Sequence, residues 1–391
     1  MQIVINGTFW NQPNVGSGQY LHGLLRWLPQ LAPEHRVLLL RPASAEAALQ
    51  LPPGVASIAL HSPFDGRNPN LAKLWFEQRS VPRAARRLAG YSQPTILFVP
   101  YFAPPLHATV PVVTTVGDII PLRMPEYAGN VRVKAYLRLV QRAVRGSKQI
   151  LTFSAFSKRD IVDLLRLPAE KITPVLLAAD ERYKPPADRN AALAEVARRY
   201  GLHEPFVYYV GGLDRRKNVE VLLRAFALLS AQGNRAQFVI AGRALSANRA
   251  VFSDLDALIV QLGLADRVRR IDVPFEDGPL LYQACTVFAF PSRYEGFGLP
   301  PLEAMACGAP AVVSDATSLP EVVGAAALRV APDDIVGWAA ALNRLLGDPG
   351  LRQDLARLGL AQAAQFSWRR VAIETLAVIE RAAQLTRQKQ H

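Results

Sequence analysis

Residues 295–308, EGFGLPPLEAMACG, set two glutamates, Glu295 and Glu303, eight positions apart around two glycines and a Pro-Pro pair. Two carboxylates beside such a turn can act as an acid/base pair, hold a metal or clamp the hydroxyls of a sugar. They can equally be a loop charge and a helix-start residue with no chemistry. A metal set is the poorest of these, because the segment contains no histidine and no aspartate. A second stretch, YYVGGLDRRKN (Tyr208–Asn218), runs from a strand pattern into Gly211 and Gly212 and then a basic turn. Glycines admit a ligand close to the backbone, and a helix from about Val219 would bring exposed N–H groups and a positive dipole end. Arg215, Arg216 and Lys217 add fixed positive charge there. The pattern suits a phosphate, yet it is neither a Walker loop nor G-x-G-x-x-G, and a plain turn with solvated basic residues also satisfies it.

Those residues need a frame. Short aliphatic runs alternate with amphipathic helical patterns along the whole chain. Strands are expected at Gln2–Asn6, Arg36–Leu40, Thr95–Val99, Val112–Val116 and Gln149–Phe153, then at Phe206–Val210, Gln237–Ala241, Val268–Asp272, Val287–Phe290 and Ala311–Ser314. Repeated βα units imply parallel sheets with helices on both faces. The polar stretch RYKPPADRN (Arg182–Asn190) reads as a seam between two Rossmann-like domains, whose ligands bind beyond the carboxyl ends of the strands. Glu295 then lies on a loop after the strand Val287–Phe290. Pro300 and Pro301 start the following helix, with Glu303 in its first turn, where the dipole favours a carboxylate.

A chain of 391 residues, half of them hydrophobic, suits two domains. MQIVI runs directly into a strand pattern with no basic leader, and no apolar run approaches the roughly 20 residues of a membrane span. Cys285 and Cys307 read as buried reduced thiols, so a cytoplasmic protein is expected. The net charge of +13 is lopsided: residues 1–200 hold 25 Lys and Arg against 13 Asp and Glu, the remainder 20 against 19. An anionic partner for the first half follows.

With these residues in view, the chain closely resembles the retaining glycosyltransferases of family 4, which have the GT-B fold. EGFGLPPLEAMACGAPAVVSD carries the E-x7-E block, and YVGGLDRRKNVEVLLRAF, ILTFSAFSKRDI, GSGQY (Gly16–Tyr20) and FSWRRVA (Phe366–Ala372) extend the match over nearly the whole chain. The resemblance implies an α/β architecture of two Rossmann-like domains facing across a cleft. Residues 1–185, completed by a C-terminal helix at about 368–391, would take the acceptor, and residues 186–367 the nucleotide-sugar donor. It gives Glu303 the ribose hydroxyls and Glu295 the transferred sugar. Backbone N–H groups of Phe297, Gly298 and Leu299, with Gly212, Gly16 and Gly18, would meet the sugar and diphosphate. Arg216 and Lys217 would hold the leaving diphosphate in place of a metal, so neither cofactor nor metal is expected, and Asp118 joins the catalytic set. The implied reaction moves a hexose, with retention, onto a glycan or lipid-linked acceptor in cell-surface polysaccharide or glycolipid synthesis. Mannose from GDP-mannose is the first expectation, with UDP-sugars next. A GT-B-fold epimerase or phosphorylase, or a non-catalytic glycan- or lipid-binding relative, are the alternatives.

Two departures stand out. TVGDIIP has Gly117 where many relatives have a histidine, and Gly212 stands where many have an arginine. The basic excess concentrates in Arg79, Arg83, Arg86 and Arg87 and in the segment Val131–Lys148. There Lys134, Arg138, Arg142 and Arg145 recur at helical spacing beside an apolar stripe of Val133, Leu137, Val140 and Val144. Ordinary solvated helix faces account for both. Docking on anionic lipid at the inner face of the plasma membrane is the functional reading. Nucleic acid fits poorly, because no aromatic platform interleaves the basic residues.

Overall fold

The computed structural model describes all residues except 14, 44–49, 91–92, 243–247 and 389–391. The chain divides into two compact units, residues 1–177 with 367–391 and residues 178–366. The division falls ahead of Arg182–Asn190, and Arg182 and Tyr183 pack within the second unit, on Phe275 and Tyr282 respectively.

The first unit is a seven-stranded, all-parallel sheet: β1 (Gln2–Asn6), β2 (Arg36–Pro42), β3 (Val55–Leu60), β4 (Thr95–Val99), β5 (Val112–Thr115), β6 (Gln149–Thr152) and β7 (Ile172–Pro174). Its spatial order is β3-β2-β1-β4-β5-β6-β7, with Ile3 beside Val37 on one flank and Ile96 on the other. Central strands of such sheets are covered on both faces and so read as unbroken apolar runs. QIVIN and TILFV are buried at every position, and Val4, Leu38, Leu97 and Ile150 meet in the core. The helix Trp368–Arg387 closes this unit. The Trp368 ring lies so near Gly23 that an added Cβ would sit 2.2 Å from it, and Tyr20 bonds Thr375.

The second unit is a six-stranded parallel sheet: β8 (Phe206–Val210), β9 (Gln237–Ala241), β10 (Val268–Ile271), β11 (Val287–Phe290), β12 (Ala311–Ser314) and β13 (Leu328–Val330). The order is β10-β9-β8-β11-β12-β13. In both sheets the chain reverses its direction of travel once, at β1/β4 and at β8/β11. Open α/β sheets bind ligands at that switch point, outside the carboxyl ends of the two strands.

The basic segment forms the helix Val131–Gly146, capped by Asn130 and facing the core with Val140, Ala143 and Val144. The expected apolar stripe holds only in its second half. Val133 is 40% exposed and Val131 81%, because the first turns project beyond the core. Among the described residues no helix is long and apolar enough to cross a membrane.

Candidate active site

The site in the second unit is built by the loops that leave β8 and β11. After Val210 the backbone turns through Gly211 at φ 147°, pressed so closely on Gly242 that a Cβ on the latter would lie 2.1 Å from the Gly211 carbonyl oxygen. Only glycine fits either requirement. A short 3-10 turn, Arg215–Lys217, then leads through Asn218, in the left-handed region at φ 57°, into the helix Val219–Ala231. The turn sorts its cations by burial. Arg215 points outward, its side chain 52% exposed, whereas Arg216 and Lys217 turn inward at 12% and 13%.

They turn towards Glu295. Lys217 Nζ lies 2.6 Å and an Arg216 guanidinium nitrogen 3.3 Å from Glu295 Oε1. Arg216 also donates to the Tyr294 carbonyl at 2.7 Å and pairs with Asp214 at 3.4 Å, and Lys217 lies over the Phe290 ring. The Glu295 backbone is fixed by Thr317, whose hydroxyl accepts its N–H, and by Ser318, which donates to its carbonyl. Burial pushes the Glu295 carboxyl up, but Lys217 and Arg216 outweigh burial and hold it below the ordinary range. The cations are thus already balanced by a carboxylate that a more negative ligand must displace or share.

Next along the loop, Gly298 sits at φ 127°, where a Cβ would meet Leu319 at 2.7 Å. Among the described residues, the N–H groups of Phe297, Gly298 and Leu299 donate to no partner. Three consecutive amides opening a helix are an anion cradle. The Phe297 side chain itself is buried against Phe366.

Glu303 keeps separate company. The helix Leu299–Ala306 starts one residue ahead of the proline pair, so Glu303 is its fifth residue, beyond the first turn where it was expected. Pro300 and Pro301 occupy early positions whose N–H groups have no intrahelical acceptor, which is why the helix tolerates them. The dipole therefore does little for this carboxylate. Tyr282 bonds it instead, at 2.9 Å. Burial raises Glu303 to about 7, against the smaller opposing effects of Tyr282, Arg182 and Tyr183. Arg182 stacks on the Phe275 ring at 3.4 Å and donates to the Tyr183 hydroxyl. Sequence reasoning missed all three partners, since none belongs to a motif.

Gly212 carries no arginine. A Cβ there would lie 2.9 Å from Asp214 Oδ2, and that carboxylate is taken by Arg216. The remaining sequence-predicted residues lie in the first unit. Asp118 follows β5 and accepts the Ile120 N–H at 3.2 Å. Gly16 opens the helix Gly16–Leu31 with nothing within 4 Å of an added Cβ, whereas a Cβ on Gly18 would fall 1.8 Å from the Gln12 carbonyl oxygen. Gly117 faces Phe153, whose ring would lie 2.7 Å from a Cβ at 117, so an aromatic edge fills the space that a side chain there would take. Arg79, Arg83, Arg86 and Arg87 are all exposed. Among the described residues, the cluster with metal-ligand spacing is Glu34, His35 and Glu380, in the first unit and with no part in the Glu295 or Glu303 sites.

Residues 197–360 match the family described as Glycosyl transferases group 1, and residues 15–180 match Glycosyltransferase Family 4. The O-antigen chain mannosyltransferase B of Escherichia coli is 38% identical over 273 residues, covering 69% of this chain and 70% of that protein. A serotype-specific mannosyltransferase, WbdA, of the same organism is 28% identical over 263 residues, 65% of this chain but 31% of the longer relative. Among solved structures, Anabaena HepE in complex with UDP and glucose superimposes with a TM-score of 0.73 over 97% of this chain and 99% of that one, at 19% identity. That likeness supports the fold alone.

Proposed function

The chain belongs to the group 1, family 4 glycosyltransferases, and from that premise we propose that it transfers mannose from GDP-mannose, with retention and without a metal, to a glycan carried on a lipid. The relationship to the O-antigen mannosyltransferase supports the choice of sugar and of a cell-surface glycan as product. A UDP-sugar is the competing donor. The observation that carries the site assignment is the Lys217–Glu295–Arg216 cluster at the β8/β11 switch point, beside three unpaired amides.

Each group has one task in this reading. The amides of Phe297, Gly298 and Leu299 and the inward cations receive the diphosphate. Glu295, released in part from Lys217 and Arg216, turns an oxygen to the hydroxyls of the sugar. Glu303 accepts from the two ribose hydroxyls, a carboxylate with two lone-pair edges meeting two donors. As the bond from the anomeric carbon to the phosphate oxygen breaks, negative charge grows on that oxygen. Preorganised Lys217 and Arg216 stabilise it where it forms, usually the largest single catalytic contribution. The acceptor oxygen bonds the anomeric carbon on the face the phosphate leaves. Its proton passes to the departing phosphate, so no side chain need serve as the base. Glu295 and Glu303 have separate partners, Lys217 and Arg216 for the one and Tyr282 for the other, which favours two binding tasks over a glycosidase-like pair.

The test is nucleoside diphosphate release from GDP-mannose, UDP-glucose and ADP-glucose, with and without a chelator. GDP-mannose should be used preferentially and the rate should survive chelation. Release from none of these donors, or complete dependence on an added divalent ion, would contradict the reading. A lipid-borne acceptor also calls for work at a membrane surface, in line with the basic first half.

A further inference from the structure

The turn Arg215–Lys217 that carries the inward cations is poorly equipped to hold itself. It is closed by the Lys217 N–H on the Asp214 carbonyl at 2.9 Å and by the Asn218 N–H on the Arg215 carbonyl at 3.2 Å. Hydrogen bonds in such short 3-10 pieces are poorly aligned. Two of its carbonyls are therefore held from outside, and one residue of the loop after β11 reaches both. The Arg293 N–H donates to the Arg216 carbonyl at 2.8 Å, where the Ser292 hydroxyl adds a longer bond of 3.3 Å. The Arg293 guanidinium donates through Nη1 to the Arg215 carbonyl at 2.7 Å. These two consecutive peptide groups set the directions in which the Arg216 and Lys217 side chains leave the backbone.

Arg293 is itself anchored. Its Nε and Nη2 reach Asp333 Oδ1 at 2.9 and 2.6 Å, on the loop after β13. That loop is tied to the core, since the Ala331 carbonyl accepts the indole N–H of the buried Trp338 at 3.1 Å, and Asp334 caps the helix Ile335–Gly347. From the same loop the Pro332 carbonyl accepts the side-chain amide of Asn218 at 2.7 Å, holding the left-handed residue that ends the turn. The loops after β8, β11 and β13 are thus stitched together at one edge of the sheet.

Stability alone does not explain the arrangement. The Arg293 side chain is 39% exposed and that of Asp333 70%, and exposed ion pairs add little to folding. The residue type matters more than the charge. A guanidinium fixes its donors in one planar fork, so one edge can hold a carboxylate while another nitrogen holds a carbonyl; a lysine ammonium on its flexible stem has no such fork.

We propose that Arg293, braced by Asp333, is a positioning residue: it aims Arg216 and Lys217 at the phosphate that leaves, without touching donor or acceptor. This rests on the task given to those two cations above. A displacement of 1 Å in such a group can cost about 10²-fold in rate.

Arg293→Lys, Arg293→Gln and Asp333→Ala test it. Each should lower kcat on the order of tenfold and leave donor KM within about twofold, because the aim matters most to charge that develops in the transition state. Melting temperatures should stay close to that of the parent. Arg293→Lys combined with Asp333→Ala should cost no more than either alone, since both break one brace. A readout that needs no turnover is heteronuclear NMR of the lysine ammonium groups in isotope-labelled protein. The Lys217 ammonium, sheltered on Glu295, should give a signal in the parent that Lys217→Ala removes and Arg293→Lys broadens or shifts. Parental kcat in Arg293→Lys would overturn the proposal, since charge alone would then suffice. So would additive losses in the double variant, or an unaltered Lys217 signal in Arg293→Lys. A parent that releases no nucleotide from any donor would contradict the function proposed above, and the ammonium signal would still decide whether Arg293 places Lys217.

Discussion

Lys217 Nζ and Glu295 Oε1 lie 2.6 Å apart, although 78 residues separate them in the chain, and Arg216 reaches the same oxygen from 3.3 Å. One carboxylate oxygen thus contacts both cations that face the β8/β11 switch point, and Asp214 shares Arg216. In the proposed function a donor diphosphate takes them over, so the cluster acts as a charge exchange rather than a standing anion hole.

Removing Glu295 should therefore separate affinity from turnover. Glu295→Ala leaves Lys217 without its carboxylate and Arg216 with Asp214 alone, which destabilises the empty protein and strengthens the hold of both on phosphate. Nucleoside diphosphate should bind about tenfold tighter, a difference of about 1.4 kcal/mol, and raise the melting temperature more than in the parent. Turnover should drop as the sugar loses its carboxylate. Titration calorimetry and steady-state rates read the two effects; near-normal turnover would remove Glu295 from the sugar.

Lys217→Ala should cost turnover on the order of 10²–10³, the typical loss of one preorganised group at a developing charge. Arg216→Ala confounds catalysis with structure, because Arg216 also holds the Tyr294 carbonyl and Asp214. Lysine replacement is the cleaner variant, and single-turnover rates measure it.

Glu303 predicts a pH dependence with a definite sign. Burial raises it from 4.5 to about 7 in the folded protein, so the fold holds a proton that the unfolded chain releases. Stability from this group is present at low pH and is lost as pH climbs from about 4.5 to 7, by about 3 kcal/mol in total. In the proposed role the carboxylate accepts the ribose hydroxyls, so donor affinity should rise with pH through about 7, where the group is half ionised, and level off above it. Glu303→Gln should be more stable than the parent at pH 8 and lose the affinity profile. Tyr282→Phe removes a hydrogen bond that lowers this pKa, so the affinity midpoint should move upward. Denaturation midpoints and donor titrations across pH 5–8 check all three.

Glycine at 117 should prove to be coupled to Phe153. A Cβ there would fall 2.7 Å from the ring, which in turn packs edge-on against Tyr20 at 5.1 Å. Gly117→His alone should lose about 1–3 kcal/mol by overpacking. Phe153→Ala in the same chain should recover most of it, and a double-mutant cycle measures the coupling.

Much of this was legible in the sequence, for identifiable reasons. QIVIN, TILFV, FVYYV and VFAF are continuous apolar runs bounded by turn residues, and they became the central strands on either side of the two switch points. The glycines at 211 and 298 marked the turns that leave β8 and β11, because positive φ there disfavours other residues. The strands that went unread, β3, β7 and β13, lie towards or at the sheet edges. VASIAL is half exposed, and ITP and LRV are three residues long, too short to show a period. The surroundings of Glu303 were not legible, because Tyr282 is 21 residues away and Tyr183 and Arg182 still farther; their meeting is set by packing between elements.

The most direct measurement is proton NMR of the first product formed from GDP-α-mannose in the presence of a chelator. The account predicts an α-anomeric product at a rate that the chelator leaves unchanged and that Lys217→Ala lowers on the order of 10²–10³. A β-anomeric product, or activity that survives Lys217→Ala intact, would contradict it.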